Sequence, residues 1–464
     1  MALPDGPKAS SIWQMLQWIV QPFSFMRACH RQYGDCFTIR LGKSLGPLIL
    51  FSHPEALQMI LSNDDAKLFD SPGALRAPLE PLIGTQSVIS LSGDQHLRAR
   101  QLLLPPFHGE RMRSYGQLIR EITEQVMSEY LSGQPFLARQ LMQTISLRVI
   151  LRAVFGLNEG IRYQRIEQLL GAMLDGLSNP LNTGFLFFRS LRHDFGALSP
   201  WGNFVRKRQQ IDRLIYEEIA ERRAHLDPSR KDILSLLLSA RDEAGQGLSD
   251  SELRDELMTL LFAGHETTST ALAWALYWTH QSPAIRDRLL QEQQSLKDNA
   301  DPTAVFRLPY LNAVCSETLR IYPVVLITFP RVAQSSVQLK GVSLEPGNTV
   351  AGCIYLAHRR NDVYPDPEKF NPDRFLERHY SPFEYLPFGG GLRRCIGMAF
   401  AQFEMRSVLT SILTGFELGL IPGCSVHHTR RGFTSGPSPF RMVINRRRSG
   451  RTPVQTMDNR IDAG

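Results

Sequence analysis

The residues with the clearest chemical potential form the segment Phe388-Gly389-Gly390-Gly391-Leu392-Arg393-Arg394-Cys395-Ile396-Gly397. Its glycines let the backbone turn tightly and approach a flat cofactor closely. Cys395 then precedes the helical pattern 398–414, and the N–H groups and dipole at a helix start stabilise a thiolate. The segment therefore predicts an anionic sulfur that acts as a ligand.

A single cysteine is, by itself, most often a small buried apolar residue. Here Phe388 stands seven residues before Cys395, Arg393 two before it and Gly397 two after it. This pattern resembles the haem-binding loop of the cytochrome P450 family, and the other motifs of that family follow in its order along nearly the whole chain. The resemblance implies that Cys395 is the axial ligand of haem b (iron protoporphyrin IX), with Phe388, Gly389 and Gly397 shaping the loop around the cofactor.

A second motif, Glu317-Thr318-Leu319-Arg320, places a carboxylate and a guanidinium on one face of a predicted helix. Such a pair is often an ordinary surface ion pair. The segment 370–375 resembles the family's Pro-x-Arg-Phe element, which implies that Arg374 joins Glu317 and Arg320 in a buried network. Since buried charges require every partner to be satisfied, we expect a structural role in holding the Cys395 loop.

Haem carries two propionates, and guanidinium groups suit carboxylates because they bind in a bidentate manner. His96 and Arg100 lie four residues apart on a helix that is predicted to begin near Asp94, so both can face one propionate. Arg331 and Arg393 match two further propionate-binding positions of the family. Many members carry Trp where His96 stands, and histidine can still donate a hydrogen bond. With 52 Lys and Arg in the chain, each of these cations could also be a surface charge.

The segment Ala263-Gly264-His265-Glu266-Thr267-Thr268 lies within the predicted helix 253–280. A threonine inside a helix usually bonds back to the preceding turn. Gly264 and the adjacent threonines favour a local opening of the helix, as inserted side chains or water produce. The resemblance implies that dioxygen binds at this opening beside Ala263, that Thr267 supports proton delivery and that Glu266 relays protons from solvent. His265 faces away from positions 263 and 267, and we expect it to be structural.

These motifs imply a haem-thiolate monooxygenase, in which the thiolate favours cleavage of the O–O bond of O2. Its substrate contacts would come from residues 71–90, 174–201, 260–268, 324–330 and 433–438. These segments are rich in apolar residues, so we expect an apolar substrate. The chain, including the segment 103–112, resembles bacterial soluble members of the family, and this resemblance implies a fatty acid, an alkane or a terpene. An ordinary core has a similar composition, and the choice among these compounds stays open.

The electrons for such a reaction are expected from a separate protein, because the residues after Cys395 are too few for a flavin or iron–sulfur module. The net charge of +7 favours an acidic partner, and we expect a ferredoxin or flavodoxin with its NAD(P)H reductase. The six cysteines lack paired spacing, which indicates a reducing cytoplasm. Polar residues interrupt the apolar segment 12–29, which excludes a transmembrane span or a signal peptide. We also find no pattern typical of nucleic-acid binding.

The elements that must position these residues predict a mainly α protein with a smaller β region. Helical patterns fill residues 94–322, including 120–130, 203–223, 253–280 and 283–298. A β-hairpin is predicted over 35–41 and 47–51, β-branched runs such as 341–350 follow Pro323, and the Pro-rich stretch 365–387 predicts a long ordered loop or a linker. The resemblance implies a single cytochrome P450 domain over residues 1–464, with the haem between the long oxygen-binding helix and the helix after Cys395.

Three alternatives remain at this point. A peroxygenase of the same fold would use hydrogen peroxide without a redox partner, but its acid–alcohol pair is typically replaced, whereas Glu266 and Thr267 are present here. A non-catalytic haem sensor or electron carrier would have no use for a proton relay beside a substrate cavity. A chain without haem would leave four separate motif matches unexplained.

Overall fold

Helices form most of this protein, as the sequence predicts. The computed structural model describes residues 3–42, 46–64, 67–72, 78–107, 111–156, 160–178, 184–186, 189–196, 199–227, 229–296, 301–423, 425–432 and 434–448. Within them the α-helices are Ser11–Val20, Pro22–Tyr33, Pro54–Ser62, Glu80–Ile83, Gly93–Leu103, Arg111–Ser128, Ala138–Phe155, Ile161–Ser178, Pro200–Ala224, Ile233–Ser239, Asp250–Gln281, Pro283–Gln293, Pro309–Ile321, Ile354–Ala357, Arg374–Glu377 and Met398–Gly415.

The helix Asp250–Gln281 is the central element, and a capping box fixes its first turn. Ser249 Oγ accepts a hydrogen bond from the Glu252 N–H at 3.2 Å, and Glu252 Oε2 accepts one from the Ser249 N–H at 2.7 Å. Apolar residues occur around most of this helix, so it must be covered on several sides. The helix Ala138–Phe155 makes the largest contact with it, and Met398–Gly415 also packs against it.

The described strands form one five-stranded sheet and three smaller sheets. The larger sheet has the strand order Cys36–Arg40, Pro47–Phe51, Thr349–Gly352, Arg331–Ala333 and Phe69–Asp70, with a parallel pairing only between the second and third. The smaller sheets join Phe136–Leu137, Arg441–Arg447 and Phe416–Leu420; His428–Arg431 and Thr434–Pro437; and Val337–Leu339 and Val342–Leu344. The pairing of Phe69–Asp70 with Arg331–Ala333 brings the chain just after Asp70 close to Arg331.

The coarse sequence predictions are confirmed. Residues 36–40 and 47–51 form the expected antiparallel hairpin. The Pro-rich stretch 365–387 is an ordered loop with one short helix, Arg374–Glu377, and is therefore not a linker between domains. No helix in the described part of the chain has both the length and the apolar character needed to cross a membrane.

Candidate active site

The segment that presents Cys395 is a tight loop closed by its own backbone. The Cys395 N–H donates to the Phe388 carbonyl oxygen at 3.0 Å. Gly389 and Gly391 have φ angles of 66° and 67°, which glycine adopts without strain. A Cβ atom on Gly391 would lie 2.4 Å from the Leu61 carbonyl oxygen. The loop therefore requires these glycines both for its turns and for its close packing.

The sulfur of Cys395 lies just before a helix, as predicted, because Gly397 is the N-cap of Met398–Gly415. Burial raises the pKa of the Cys395 thiol, while the Gly397 N–H and the charges of Arg100 and Arg394 oppose that shift. The expected stabilisation of the thiolate by the helix start is thus present but is outweighed by desolvation. A cationic metal at the sulfur would reverse this balance.

Protein surrounds the Cys395 side chain, yet part of the surface of this side chain is accessible. The side chain therefore faces an internal space. One face of the central helix has the same property. Leu260, Ala263, Gly264 and Thr267 are partly exposed on a helix whose neighbouring residues are buried, and their spacing places them side by side. Exposed surface on an interior helix marks the wall of a cavity.

Glu317 is the centre of a buried charged network, as the sequence predicts. Arg320 Nε and Nη2 donate to its two carboxylate oxygens at 2.6 and 2.9 Å, and Arg374 Nε donates to Oε1 at 3.2 Å. The Asn371 N–H donates to the same Oε1 at 2.8 Å. Because all three charged side chains are buried, each needs the others as partners.

This network reaches the cysteine loop through His358, which the sequence analysis did not identify. Arg320 Nη1 donates to the His358 carbonyl oxygen at 2.7 Å. The imidazole of His358 contacts the Arg320 carbonyl oxygen through Nδ1 at 3.1 Å, and its Nε2 accepts from the Leu386 N–H at 3.0 Å. Leu386 directly precedes the Pro387-Phe388 start of the loop, so the helix Pro309–Ile321 is tied to the loop by hydrogen bonds.

Comparison with known proteins settles the family. The profile of the cytochrome P450 family matches residues 4–444. The chain belongs to the cytochrome P450 family. A protein of Mycobacterium tuberculosis that bears the name cytochrome P450 135B1 is 36% identical over 419 residues, which cover 90% of this chain and 86% of that one. A protein named cytochrome P450 138, from the same organism, is 31% identical over 455 residues, or 96% and 97% of the two chains.

Solved structures confirm the predicted cytochrome P450 fold. The retinoic acid-bound cyanobacterial CYP120A1 aligns with a TM-score of 0.81 at 27% identity, over 96% of this chain and 99% of that chain. The haem domain of cytochrome P450DA aligns with a TM-score of 0.82 at 24% identity, over 97% and 98%. The protein is thus a cytochrome P450 monooxygenase with a haem cofactor, and it uses O2 and an external source of electrons.

The residues around Cys395 fit a haem. A thiol faces an internal space, a wall of small and apolar residues lies on the central helix, and cations stand beside the sulfur. His96 is buried and Arg100 is partly exposed on the helix Gly93–Leu103, whose start matches the prediction. Arg100 Nη1 donates to the Arg394 carbonyl oxygen at 2.7 Å, which places its guanidinium at the cysteine loop.

Arg331 has a partner that the sequence analysis missed. Its Nη2 and Nε lie 2.7 and 3.2 Å from Asp64 Oδ2, and both side chains are buried. Its remaining groups donate to the carbonyl oxygens of Phe329 at 2.5 Å and Gly390 at 3.3 Å. Arg331 therefore lies beside the cysteine loop, but these bonds leave few of its N–H groups for a second carboxylate.

Asp64 also binds the loop directly. The Leu392 N–H lies 3.1 Å from both of its carboxylate oxygens. A Cβ atom on Gly391 would lie 2.5 Å from Asp64 Oδ2, so the glycine permits this contact. The sequence offered no motif for Asp64, because the pairing depends on chain segments that are far apart in sequence.

Arg393 crosses from the cysteine loop to the segment before the helix Gly93–Leu103. Its guanidinium donates to the carbonyl oxygens of Val88 at 3.0 Å, Leu91 at 2.6 Å and Ser71 at 2.9 Å. These bonds hold the loop against two other segments of the chain.

The motif that is predicted to bind dioxygen lies in an uninterrupted helix, which corrects one prediction. Residues 250–281 are helical throughout, and Thr267 Oγ1 donates to the Ala263 carbonyl oxygen at 2.5 Å. The expected local opening at Gly264 is therefore not seen. A Cβ atom at Gly264 would lie 3.0 Å from Ile150 Cδ1, so this glycine serves close packing between two helices.

Glu266 is buried and is held from a neighbouring helix. Arg139 Nη2 donates to Glu266 Oε1, whereas Glu266 Oε2 has no hydrogen-bond partner among the described residues. Burial and the charge of Arg139 lower the pKa of Arg431, whereas the charge of Glu266 raises it. The Arg431 guanidinium is therefore a second cation near the Glu266 carboxylate. Neither arginine was predicted, because positions 139 and 431 lie far along the chain from Glu266.

The structural role of His265 stays a prediction. Its side chain is buried, and burial, with the charge of Arg139, lowers its pKa to about 3.

The predicted substrate segments are described only in part: residues 73–77, 179–183, 187–188, 197–198 and 433 lie outside the described residues.

We predict that Asp64→Ala displaces the cysteine loop. The change leaves the Arg331 guanidinium without its buried counter-charge and the Leu392 N–H without its acceptor, at a cost of about 3–5 kcal/mol. Urea unfolding should show that loss, and the reduced, carbon monoxide-treated protein should show a smaller share of the red-shifted Soret band typical of thiolate-bound haem. Asp64→Asn, which keeps an acceptor for Leu392, should retain more of this band.

Asp232→Ala is a matched control, because Asp232 is equally buried and pairs with Arg222 far along the chain from the loop. It should lose similar stability yet keep the wild-type band. Equal spectra for the Asp64 and Asp232 variants would contradict the role of Asp64.

Proposed function

We propose that this enzyme is a haem-thiolate monooxygenase in which Cys395 ligates the iron of haem b. The observation that supports this most directly is the loop that holds Cys395 at an internal space while its backbone is bound to Phe388. When bound, the haem supplies oxygen activation, which a thiolate ligand favours. A single catalytic domain over residues 1–464 is part of the proposal.

We assign the cofactor contacts to residues on both sides of this space. On the cysteine side, Phe388, Gly389 and Gly397 would let the porphyrin approach the loop. Ala263 on the central helix would form the opposite wall. Cations near the loop would bind the propionates; this set is His96, Arg100, Arg331 and Arg393. Of the three arginines, Arg100 forms the fewest hydrogen bonds to protein. Arg331 is already paired with Asp64, so it would bind a propionate as part of that ion pair.

Thr267 and Glu266 are proposed to handle protons on the oxygen side. Thr267 Oγ1 donates to the Ala263 carbonyl oxygen, so its lone pairs stay available to accept a hydrogen bond from a water. Glu266 Oε2 is buried without a partner in the described structure, and it is the atom at which we propose that a proton is held. Arg139 fixes the other oxygen and so orients the carboxylate. Rotation of Glu266 away from Arg139 would connect it with solvent.

The proposed reaction consumes a C–H bond of the substrate, one O2, two electrons and two protons, and it forms a C–OH group and one water. Thr267 and Glu266 would deliver the protons. The electrons would come from a ferredoxin or flavodoxin with its NAD(P)H reductase, docked near the exposed Arg394. We propose a cytoplasmic site of action, which fits the free cysteines among the described residues.

We propose an apolar substrate, a fatty acid, an alkane or a terpene. The partly exposed wall residue Leu260 is apolar, and Val325 in the segment 324–330 is exposed although large and apolar. The structural relative CYP120A1 was solved with retinoic acid, which is a long apolar acid.

Substrate-induced changes in the Soret band test this class. We expect saturable shifts with long-chain fatty acids or terpenes and none with sugars or nucleotides, since the cavity wall has few polar groups. Shifts with polar compounds alone would contradict an apolar substrate.

The reduced, carbon monoxide-treated protein should show the red-shifted Soret band of thiolate ligation. Cys395→Ser should lose this band, because an alcohol oxygen does not replace the thiolate sulfur. Cys315→Ser removes a thiol that is buried in the core and should keep the band. A wild-type protein without the red-shifted band would overturn the proposed function.

Thr267→Ala should retain haem and substrate binding but divert electrons from product to peroxide. We expect coupling of NAD(P)H oxidation to product to fall by about 10-fold or more, as for loss of a positioned proton donor. Thr268→Ala, which removes a buried hydroxyl one residue further along the helix, should couple normally. Unchanged coupling in Thr267→Ala would refute proton delivery by this residue.

A further inference from the structure

The outer face of the helix Ser11–Val20 is apolar. Ile12, Trp13, Leu16 and Val20 are 60%, 55%, 44% and 69% exposed. At about 100° per residue, their positions fall within an arc of about 100° on one side of the helix. Four large apolar side chains therefore form one continuous stripe that faces away from the protein.

The opposite face of this helix is anchored by a polar residue. Gln14 is fully buried, and its Nε2 donates to the carbonyl oxygens of Pro7 at 2.9 Å and Ala9 at 2.8 Å. Its Oε1 accepts from the Arg40 N–H at 2.8 Å. Trp18 is buried on the same face. The helix is thus held to the body of the protein with its apolar stripe outward, where an amphipathic surface helix usually carries polar residues. Such an exposed patch commonly marks an interaction surface.

The sequence stretch that contains this helix carries only positive charge. Residues 6–34 contain no Asp or Glu, whereas Lys8, Arg27 and Arg31 are present. All three cations are exposed, and none forms an ion pair within the described residues. An apolar helix face, with a tryptophan, within a stretch that carries only positive charge is the pattern of a helix that lies in the interface of an anionic membrane.

We propose that the helix Ser11–Val20 binds the surface of an anionic lipid bilayer and inserts Ile12, Trp13, Leu16 and Val20 between the headgroups. A ten-residue helix is about 15 Å long and about 10 Å wide, so its face offers on the order of 150 Å². A stable protein interface needs about 800 Å² from each partner, and a second copy would also bring the same positive charges together. A bilayer needs neither large area nor matching shape.

This surface would bring the enzyme to the phase in which apolar compounds dissolve. That consequence rests on the proposed substrate class, whereas membrane binding itself does not.

Co-sedimentation of the full-length haem-loaded protein with lipid vesicles tests the proposal. Vesicles of phosphatidylcholine and phosphatidylglycerol in equal parts should bind the protein, and added salt should weaken that binding. Vesicles of phosphatidylcholine alone should bind it more weakly. The combined change Ile12→Ser, Leu16→Ser and Val20→Ser should reduce partitioning at least about 10-fold, because it removes most of the inserted apolar area.

The control combines Leu131→Ser, Ile161→Ser and Leu226→Ser, which replace residues that are 60%, 89% and 67% exposed at separate places. It should bind as the wild type does. The change of Lys8, Arg27 and Arg31 to Gln should weaken binding to the anionic vesicles specifically. An unchanged Soret band and melting temperature in each variant would show that it is folded.

Three results would overturn the proposal. The first is a wild-type protein that does not bind anionic vesicles, and the second is a loss of vesicle binding in the control variant as large as in the variant with Ser at positions 12, 16 and 20. The third is a concentration-dependent dimer that only the latter variant abolishes. The last would identify a second copy as the occupant. Loss of the thiolate spectrum with intact vesicle binding would instead refute the proposed function alone.

Discussion

The site depends on holding one sulfur atom still at an enclosed space, and buried carboxylates on separate elements provide that constraint. Glu317 binds Arg320 and Arg374 at one end of the Pro-rich loop, and Asp64 binds Arg331 and the Leu392 N–H at the other. An unpaired buried charge is costly, so each pair strongly favours one arrangement. The loop is thereby fixed by the energetics of charge burial as well as by its glycines.

The opposite side of the space is built differently. Thr267 lies on a helix that packs against several others, and its hydroxyl bonds to its own backbone. Glu266 next to it is bound at one oxygen and unsatisfied at the other. The carboxylates of Glu317 and Asp64 on the cysteine side are therefore fully paired. The central helix, by contrast, retains a buried carboxylate oxygen of Glu266 that can bind a proton or a water. This difference matches a rigid ligand on one side and proposed proton transfer on the other.

Local sequence predicted much of this arrangement. The hairpin, the central helix, the Glu317–Arg320 spacing and the glycine-rich loop are all short-range patterns, and each lies where it was expected. The roles of Thr267, Glu266 and the propionate-binding cations remain proposals from resemblance. The predicted opening at Gly264 was wrong, because the space that glycine provides is filled by Ile150, more than a hundred residues away.

By itself, the sequence determined the family, the mainly helical architecture and the position of the cysteine loop, because these depend on residue types at short, regular spacings. Only the tertiary structure decided which charges meet. Asp64 pairs with Arg331, Arg139 with Glu266, and Gln14 anchors a helix whose apolar side faces outward. Such contacts join segments distant along the chain, and their energy comes from burial and geometry, which no local pattern of residues encodes.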